Sequence, residues 1–460
     1  MRKKISLLVL FCALTAHAAV ENEDPLEKVV SLGVQNAFEI QSQKLVLDQE
    51  HDDQKNNYAK LLPTVKLSAS KSYGADESLN TTTGSTSYSG ANSASMSVAA
   101  NWALWDNYAN IRNIQVGSKS LEIERLTSRQ KIQGYIRGLV SAYLEYEYLL
   151  SEREILLVRL KESKITNDES QVLVKVGART RIDAYDTEIE VANTERDLLE
   201  KENSIVAAEK NLANRVNAEA IKKLPRLDLL KIVPYYMKSF EKEILEILDS
   251  GKSQRNEEWN EALSRRNPEL QTKKLTLEKS EMELKQKRLS YFPSTSISLE
   301  HTVELDRYLA DDVTGPRTAL QSSSISFGLS WTFWDWFSTA RTIRNSERDF
   351  DIKVLDYRES DKKARVEIEN SVQQVAIYRK TIATSRLVLE KAAAQLRYSQ
   401  EMYRLGRITL LQMQQATRRH YEAQIALAAR LKDYYIMAAS LLYSLGEDLT
   451  PPGTDLRWIR

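Results

Sequence analysis

The side chains best suited to chemistry are few. The chain has four histidines, His17, His51, His301 and His420, and one cysteine, Cys12. No histidine belongs to an H-E-x-x-H pair or stands beside carboxylates at ligand spacing, so solvated helix or loop positions are expected rather than a metal site. Neither a P-loop, a G-x-G-x-x-G turn nor a G-x-S-x-G elbow is present to hold phosphate, dinucleotide or a nucleophilic serine. Asp and Glu number 64 against 65 Lys and Arg. Carboxylate pairs at that density arise by chance and are expected on solvated helix faces and as i,i+4 partners. These residues nominate no catalytic group, cofactor or metal, and they point away from an enzyme.

Residues 1–18 read as a secretory signal: Arg2, Lys3 and Lys4 precede the apolar run Ile5–Leu14, and Ala16-His17-Ala18 fits a cleavage site. The run is too short to span a bilayer. Cleavage after Ala18 removes His17 and Cys12, and Phe11 before Cys12 is not the small residue a lipid-anchored signal requires. The mature chain is therefore expected to be cysteine-free and not lipidated. Net charge is +1, falling to −2 without the three signal cations, so no nucleic acid or other polyanion partner is expected. No later apolar run approaches 18 residues. If the mature chain crosses a membrane, it must do so as a closed β-barrel.

Asp24-Pro25 resembles an N-cap with proline at the first helical position, and helical patterning runs from Leu26 to about Leu61, stopped by Pro63. Residues 64–70 alternate, with Val65, Leu67 and Ala69 against Thr64, Lys66, Ser68 and Ser70. A Gly/Ser/Thr/Asn-rich stretch at 71–92 reads as a polar loop. Alternation returns over 94–104, where Met96, Val98, Trp102 and Leu104 share a face. Asp106 is expected to cap a helix over 106–176, whose seam Ile132, Ile136, Leu139, Tyr143, Tyr146, Leu150 steps by 4 and 3. At ~1.5 Å per residue, ~70 residues span about 105 Å. Gly177 breaks this helix and Thr180 reopens it over 180–216. Residues 217–255, containing Pro225 and Pro234, read as a connector with short elements.

The pattern then begins again over 256–445. Asn267-Pro268-Glu269-Leu270 falls in an opening helix ended by Pro293, with strands expected at 294–303 and 323–333 around a loop containing Gly315-Pro316. Asp335 caps a helix over 335–405 with seam Ile368, Val372, Val375, Ile382, Leu389, Leu396, Tyr403; Gly406 breaks it and Thr409 opens 409–445. Residues 446–460 read as an irregular tail. Trp105-Asp106 maps onto Trp334-Asp335, Gly177 onto Gly406 and Thr180 onto Thr409, each 229 residues on, and Pro63 onto Pro293, 230 on. This is a duplication, with 19–216 as the first repeat.

Two hairpins supply four strands, whereas the smallest membrane barrels have ~8, so several copies must pool strands, and three would give twelve. The Ser/Thr/Asn faces would then line a polar lumen. Five of seven tryptophans, Trp102, Trp105, Trp331, Trp334 and Trp336, gather where strand becomes helix, as an aromatic belt at the inner interface of an outer membrane would. The expected fold class is an α+β membrane protein built from a duplicated helix–hairpin–long helix unit.

The signal, the duplicated unit, Asn267-Pro268-Glu269-Leu270, the prolines before the strands, the Trp-Asp strand exits and the Gly-x-x-Thr turns together resemble the TolC family of outer-membrane efflux proteins, over essentially the whole mature chain. The resemblance implies a homotrimer with one 12-stranded β-barrel continuous with a periplasmic α-helical barrel. It also implies export of small toxic molecules or secreted proteins through a periplasmic adaptor and an inner-membrane pump of resistance-nodulation-division, ABC or major-facilitator type. It places Val176, Gly177, Thr180, Leu405, Gly406 and Thr409 at adaptor-contacting tips. It places Asp183, Asp186, Tyr403, Gln412 and Gln415 at the periplasmic gate, with Asp183 and Tyr403 matching a hydrogen-bonded pair and Gln412 and Gln415 standing where members carry an aspartate ring. The family's Asp-Gly-Gly after the strand is here Asp106-Asn107-Tyr108 and Asp335-Trp336-Phe337, which implies bulkier turns. The alternative is a secreted or periplasmic coiled-coil scaffold without channel activity; such a protein would leave membranes in a salt or urea wash, whereas a barrel needs detergent.

Overall fold

The computed structural model describes residues 25–80, 85–178, 180–217, 265–304 and 320–451. The expected signal, Asp24, Arg179, Pro225, Pro234, Gly315-Pro316 and the tail beyond 451 lie outside the described residues.

The element order is α1 (Pro25–Asn36), α2 (Phe38–Ala59), β1 (Thr64–Asn80), β2 (Ser85–Trp105), α3 (Ala109–Lys175), α4 (Arg181–Val216), α5 (Pro268–Arg288), β3 (Ser294–Glu304), β4 (Leu320–Ser330), α6 (Ser338–Arg404) and α7 (Leu410–Leu445). The chain divides into two compact units: a helical one from Arg125–Gln271, Glu359 onward and the residues up to Leu45, and a sheet one from Val46–Glu124 and Thr272–Arg358.

In the helical unit, the predicted seam is the core. Ile132, Ile136, Leu139 and Tyr143 of α3 are 0–1% exposed and pack in one cluster with Leu26 and Val30 of α1, Leu212 of α4, Ile368 and Val375 of α6, and Leu441 and Leu442 of α7. Each such side chain contributes about 1.5–3 kcal/mol by leaving water. Asn267 is the N-cap of α5: its Oδ1 accepts from the backbone N–H of Glu269 (2.9 Å) and Leu270 (3.2 Å), and its Nδ2 donates to the Ser444 carbonyl (3.0 Å). Proline at the next position lacks the N–H that would have gone unused. That explains the Asn-Pro-Glu-Leu order.

The sheet unit holds one antiparallel sheet in the order β1-β2-β3-β4. Its register places Val65, Ala100, Leu299 and Ile325 in one cross-strand row, and Ser68, Ser97, Thr302 and Ser322 in a row of the opposite face. Alternation thus builds one apolar and one Ser/Thr-rich face. The apolar face is uncovered: Val65 is 71%, Phe327 77% and Leu329 71% exposed. Around the sheet, Gln54 donates to the Ile114 carbonyl (3.1 Å), Gln286 to Asn113 (3.1 Å), and Arg288 pairs with Glu347 (2.8 Å).

Three expectations are corrected. The stretch 71–92 is not a loop: β1 continues to Asn80 and β2 begins at Ser85, paired from Lys71↔Ala94 to Asn80↔Ser85. Cross-strand backbone hydrogen bonds hold this hairpin extension, and its sequence has no alternating apolar face to signal it. The last strand ends at Ser330, not 333, because β3 starts at Ser294, opposite Ser330, and offers residues 331–333 no partner. The long helices begin at Ala109 and Ser338 rather than at Asp106 and Asp335, for a reason found in the turns below.

Candidate functional site

The two repeats present two constructions twice each: a helical tip and a strand-to-helix junction.

At each tip the helix closes with a glycine in the left-handed region, Gly177 at φ 73° and Gly406 at φ 67°. The N–H of Gly177 bonds the Val174 carbonyl and that of Ala178 the Leu173 carbonyl; Gly406 and Arg407 repeat this on Tyr403 and Met402. Glycine takes this φ without the strain a Cβ imposes. The return helices open with matching capping boxes. Thr180 Oγ1 accepts from the Asp183 N–H (3.4 Å) while the Asp183 carboxylate accepts from the Thr180 N–H (3.2 Å) and hydroxyl (2.9 Å). Thr409 and Gln412 form the same box, at 3.0 and 3.3 Å. Asp183 and Gln412 therefore share one role, the third residue of the box, which an acid or an amide fills equally well. Val176 and Leu405 are 70% and 66% exposed. Asp186, Gln412 and Gln415 are exposed, and Asp183 is half-buried.

Tyr403 lines a groove of about 400 Å³ in the helical unit, together with Glu162, Glu169, Glu190, Arg404 and Gln414. Beside it, Glu190 of α4 bridges Arg159 of α3 and Arg418 of α7, and the Tyr421 hydroxyl donates to Glu162 (2.6 Å). Burial and this hydrogen bond raise the Tyr421 pKa well above the ordinary phenol value. For Glu162 and Glu190 these ties correct the expectation of solvated faces, while Glu281–Lys285, Glu359–Lys363 and Asp361–Arg365 are the i,i+4 partners expected. The partners of Glu162 and Glu190 lie on other helices, far away in sequence, so spacing along one helix does not reveal them. His420 is likewise not a fully solvated position. Half-buried on α7 beside Tyr421, it is pushed below the ordinary imidazole pKa by burial, with Glu162 opposing. His301 is exposed on β3, its Nδ1 2.8 Å from Ser323 Oγ. Among the described residues no three His, Cys, Asp or Glu side chains come together as a metal site.

At the junctions, the aspartate after each strand exit is followed by two non-glycine residues with positive φ: Asn107 (58°) and Tyr108 (60°), then Trp336 (53°) and Phe337 (62°). Each costs on the order of 1–3 kcal/mol. The left-handed pair delays the helix, so Asp106 caps from outside it, accepting from the Asn110 N–H (2.8 Å), and Asp335 from those of Ser338 (3.1 Å) and Thr339 (2.6 Å). Trp102 Nε1 donates to the Leu61 carbonyl (2.9 Å) and Trp331 Nε1 to that of Tyr291 (3.0 Å), tying each strand exit to the turn before its hairpin partner. Trp105 meets Tyr108 edge-on at 4.6 Å, and Trp334 meets Trp336 at 5.8 Å and Phe337 at 5.5 Å.

The sequence profile of outer membrane efflux proteins matches this chain over two ranges, residues 29–218 and 259–447, one in each repeat. The chain belongs to the outer membrane efflux protein family. It is the outer-membrane exit duct of a tripartite efflux system, and the scaffold alternative falls. Proteins of this family are channels rather than enzymes, and trimers that work with adaptor proteins and inner-membrane pumps. No curated protein sequence matches this chain. Its fold is that of several solved structures: a membrane protein from Pseudomonas aeruginosa (14% identity, 94% of this chain and 93% of that one, TM-score 0.75), the Campylobacter jejuni CmeC outer membrane channel (14%, 94% and 90%, TM-score 0.74), and the open state of the Neisseria gonorrhoeae MtrE outer membrane channel (15%, 93% and 90%, TM-score 0.70).

Proposed function

We propose that three chains pool their sheets into one twelve-stranded barrel whose Ser/Thr faces line the lumen and whose apolar faces meet lipid. The observation that carries this reading is the uncovered apolar face spanning all four strands, which water would not tolerate over such an area. The two outer strands, β1 and β4, each offer an edge for a neighbouring copy. The five junction tryptophans mark the inner interface of the outer membrane. The signal is removed after Ala18 without lipidation. The exported cargo is small toxic molecules or secreted proteins, delivered by a pump of resistance-nodulation-division, ABC or major-facilitator type.

The gate is formed by Asp183, Asp186, Tyr403, Gln412 and Gln415. A carboxylate has about four lone-pair sites, so Asp183 can serve its capping box and still accept a Tyr403 hydroxyl. With glutamines at 412 and 415, the passage holds fewer acids and binds cations weakly. The tips at Val176, Gly177, Thr180, Leu405, Gly406 and Thr409 receive the adaptor. Cysteines placed at Val176 and Leu405 and crosslinked in cells should capture a periplasmic adaptor and, through it, the pump. Crosslinking of neither tip to an adaptor would reject this placement.

A further inference from the structure

Four of the five non-glycine residues with left-handed φ among the described residues are Asn107, Tyr108, Trp336 and Phe337, all at the strand-to-helix junctions. Backbone held this way for bulky side chains marks a place where the side chains themselves are needed. Trp336 and Phe337 are 75% and 65% exposed, and Trp334 is 57% exposed. The five tryptophans do not share one role. The indole N–H of Trp102 and of Trp331 is taken by a carbonyl of the protein. Those of Trp105, Trp334 and Trp336 have no protein acceptor among the described residues. Cations lie on the helices that flank the junctions. Lys287 lies in the last turn of α5, and Arg341 and Arg344 share one face of the first turns of α6; all three are exposed and have no ion-pair partner among the described residues. Arg341 acts at longer range on Asp335, whose carboxylate is already engaged by Ser338 and Thr339.

We propose that this collar binds phospholipid phosphates at the inner leaflet of the outer membrane, with Trp105, Trp334 and Trp336 as free donors, Lys287, Arg341 and Arg344 as charge partners, and Trp102 and Trp331 as locks that shape the turn. Two features select phospholipid. The collar continues the lipid-facing apolar face of β1–β4, and its unpaired donors and cations complement a headgroup anion. The assignment rests on the outer-membrane reading above.

The test is native mass spectrometry of the full-length protein in mild detergent with added phosphatidylethanolamine, phosphatidylglycerol or the phosphate-free diacylglycerol, alongside planar-bilayer recording of the same preparations. The wild type should retain phospholipid. Trp334→Phe with Trp336→Phe, and separately Arg341→Gln with Arg344→Gln, should each weaken retention by about tenfold, the scale of one or two lost charge-assisted bonds. Trp102→Phe with Trp331→Phe should lower thermal stability and leave retention unchanged. All three double variants should conduct as the wild type does. Unchanged retention in the first two, or equal retention of diacylglycerol, overturns the phosphate collar while conductance persists. A wild type that forms no channels overturns the duct reading itself.

Discussion

Asp448 shows how a single side chain can hold the segment after α7 against α3. Its Oδ1 accepts from Gln133 Nε2 (2.7 Å) and from the Thr450 N–H (3.0 Å), and Arg129 stands 3.9 Å from its carboxylate. The adjacent Leu449 is 1% exposed, and its N–H donates to Gln133 Oε1 (2.8 Å). Burial pushes the Asp448 carboxyl up, but the hydrogen bonds from Thr450 and Gln133 and the Arg129 charge outweigh it and leave the group below the ordinary carboxylate value. A depressed folded-state pKa gives stability that is present above the unfolded value, ~3.9, and is lost as pH falls through the folded one. Thermal melting should therefore fall between pH 5 and pH 3, and Asp448→Asn should flatten part of that fall. At neutral pH the substitution should cost about 0.5–1.5 kcal/mol. An unchanged pH profile in the variant would show that the carboxylate carries no such role.

At the scale of elements, each hairpin depends on an indole hydrogen bond between a strand exit and the carbonyl before the partner strand, Trp102 to Leu61 and Trp331 to Tyr291. Trp102→Phe and Trp331→Phe keep an aromatic ring but remove the donor together with the five-membered ring that carries it, so each single change should cost at least about 0.5–1.5 kcal/mol in detergent melts, and the two should add. Loss of additivity would mean that the two junctions are not independent. The long helices were legible because their seams repeat over many turns, and Ile132, Ile136 and Leu139 are as buried as the 4/3 spacing requires. The tip glycines and threonines were legible because each break needs a left-handed residue and each restart a cap. The hairpin beyond Ser70 was not, since cross-strand pairing leaves no mark on a stretch of Ser, Gly and Asn. Nor were the ties of Glu190 to Arg159 and Arg418, which join three helices. The sequence did flag Asn107-Tyr108 and Trp336-Phe337 as bulky turns; their positive φ required the structure.

For the whole molecule, a polar-lined, lipid-faced duct with amides at Gln412 and Gln415 should conduct without the cation affinity an aspartate pair at those positions would confer. Opposite charges close together hold an ion far better than neutral dipoles do. The direct measurement is single-channel current through the purified protein in a planar bilayer as divalent cation is titrated. The wild type should conduct with no block at micromolar concentrations, and Gln412→Asp with Gln415→Asp should become sensitive there. Micromolar block of the wild type would contradict the gate, and the absence of any channel would contradict the duct.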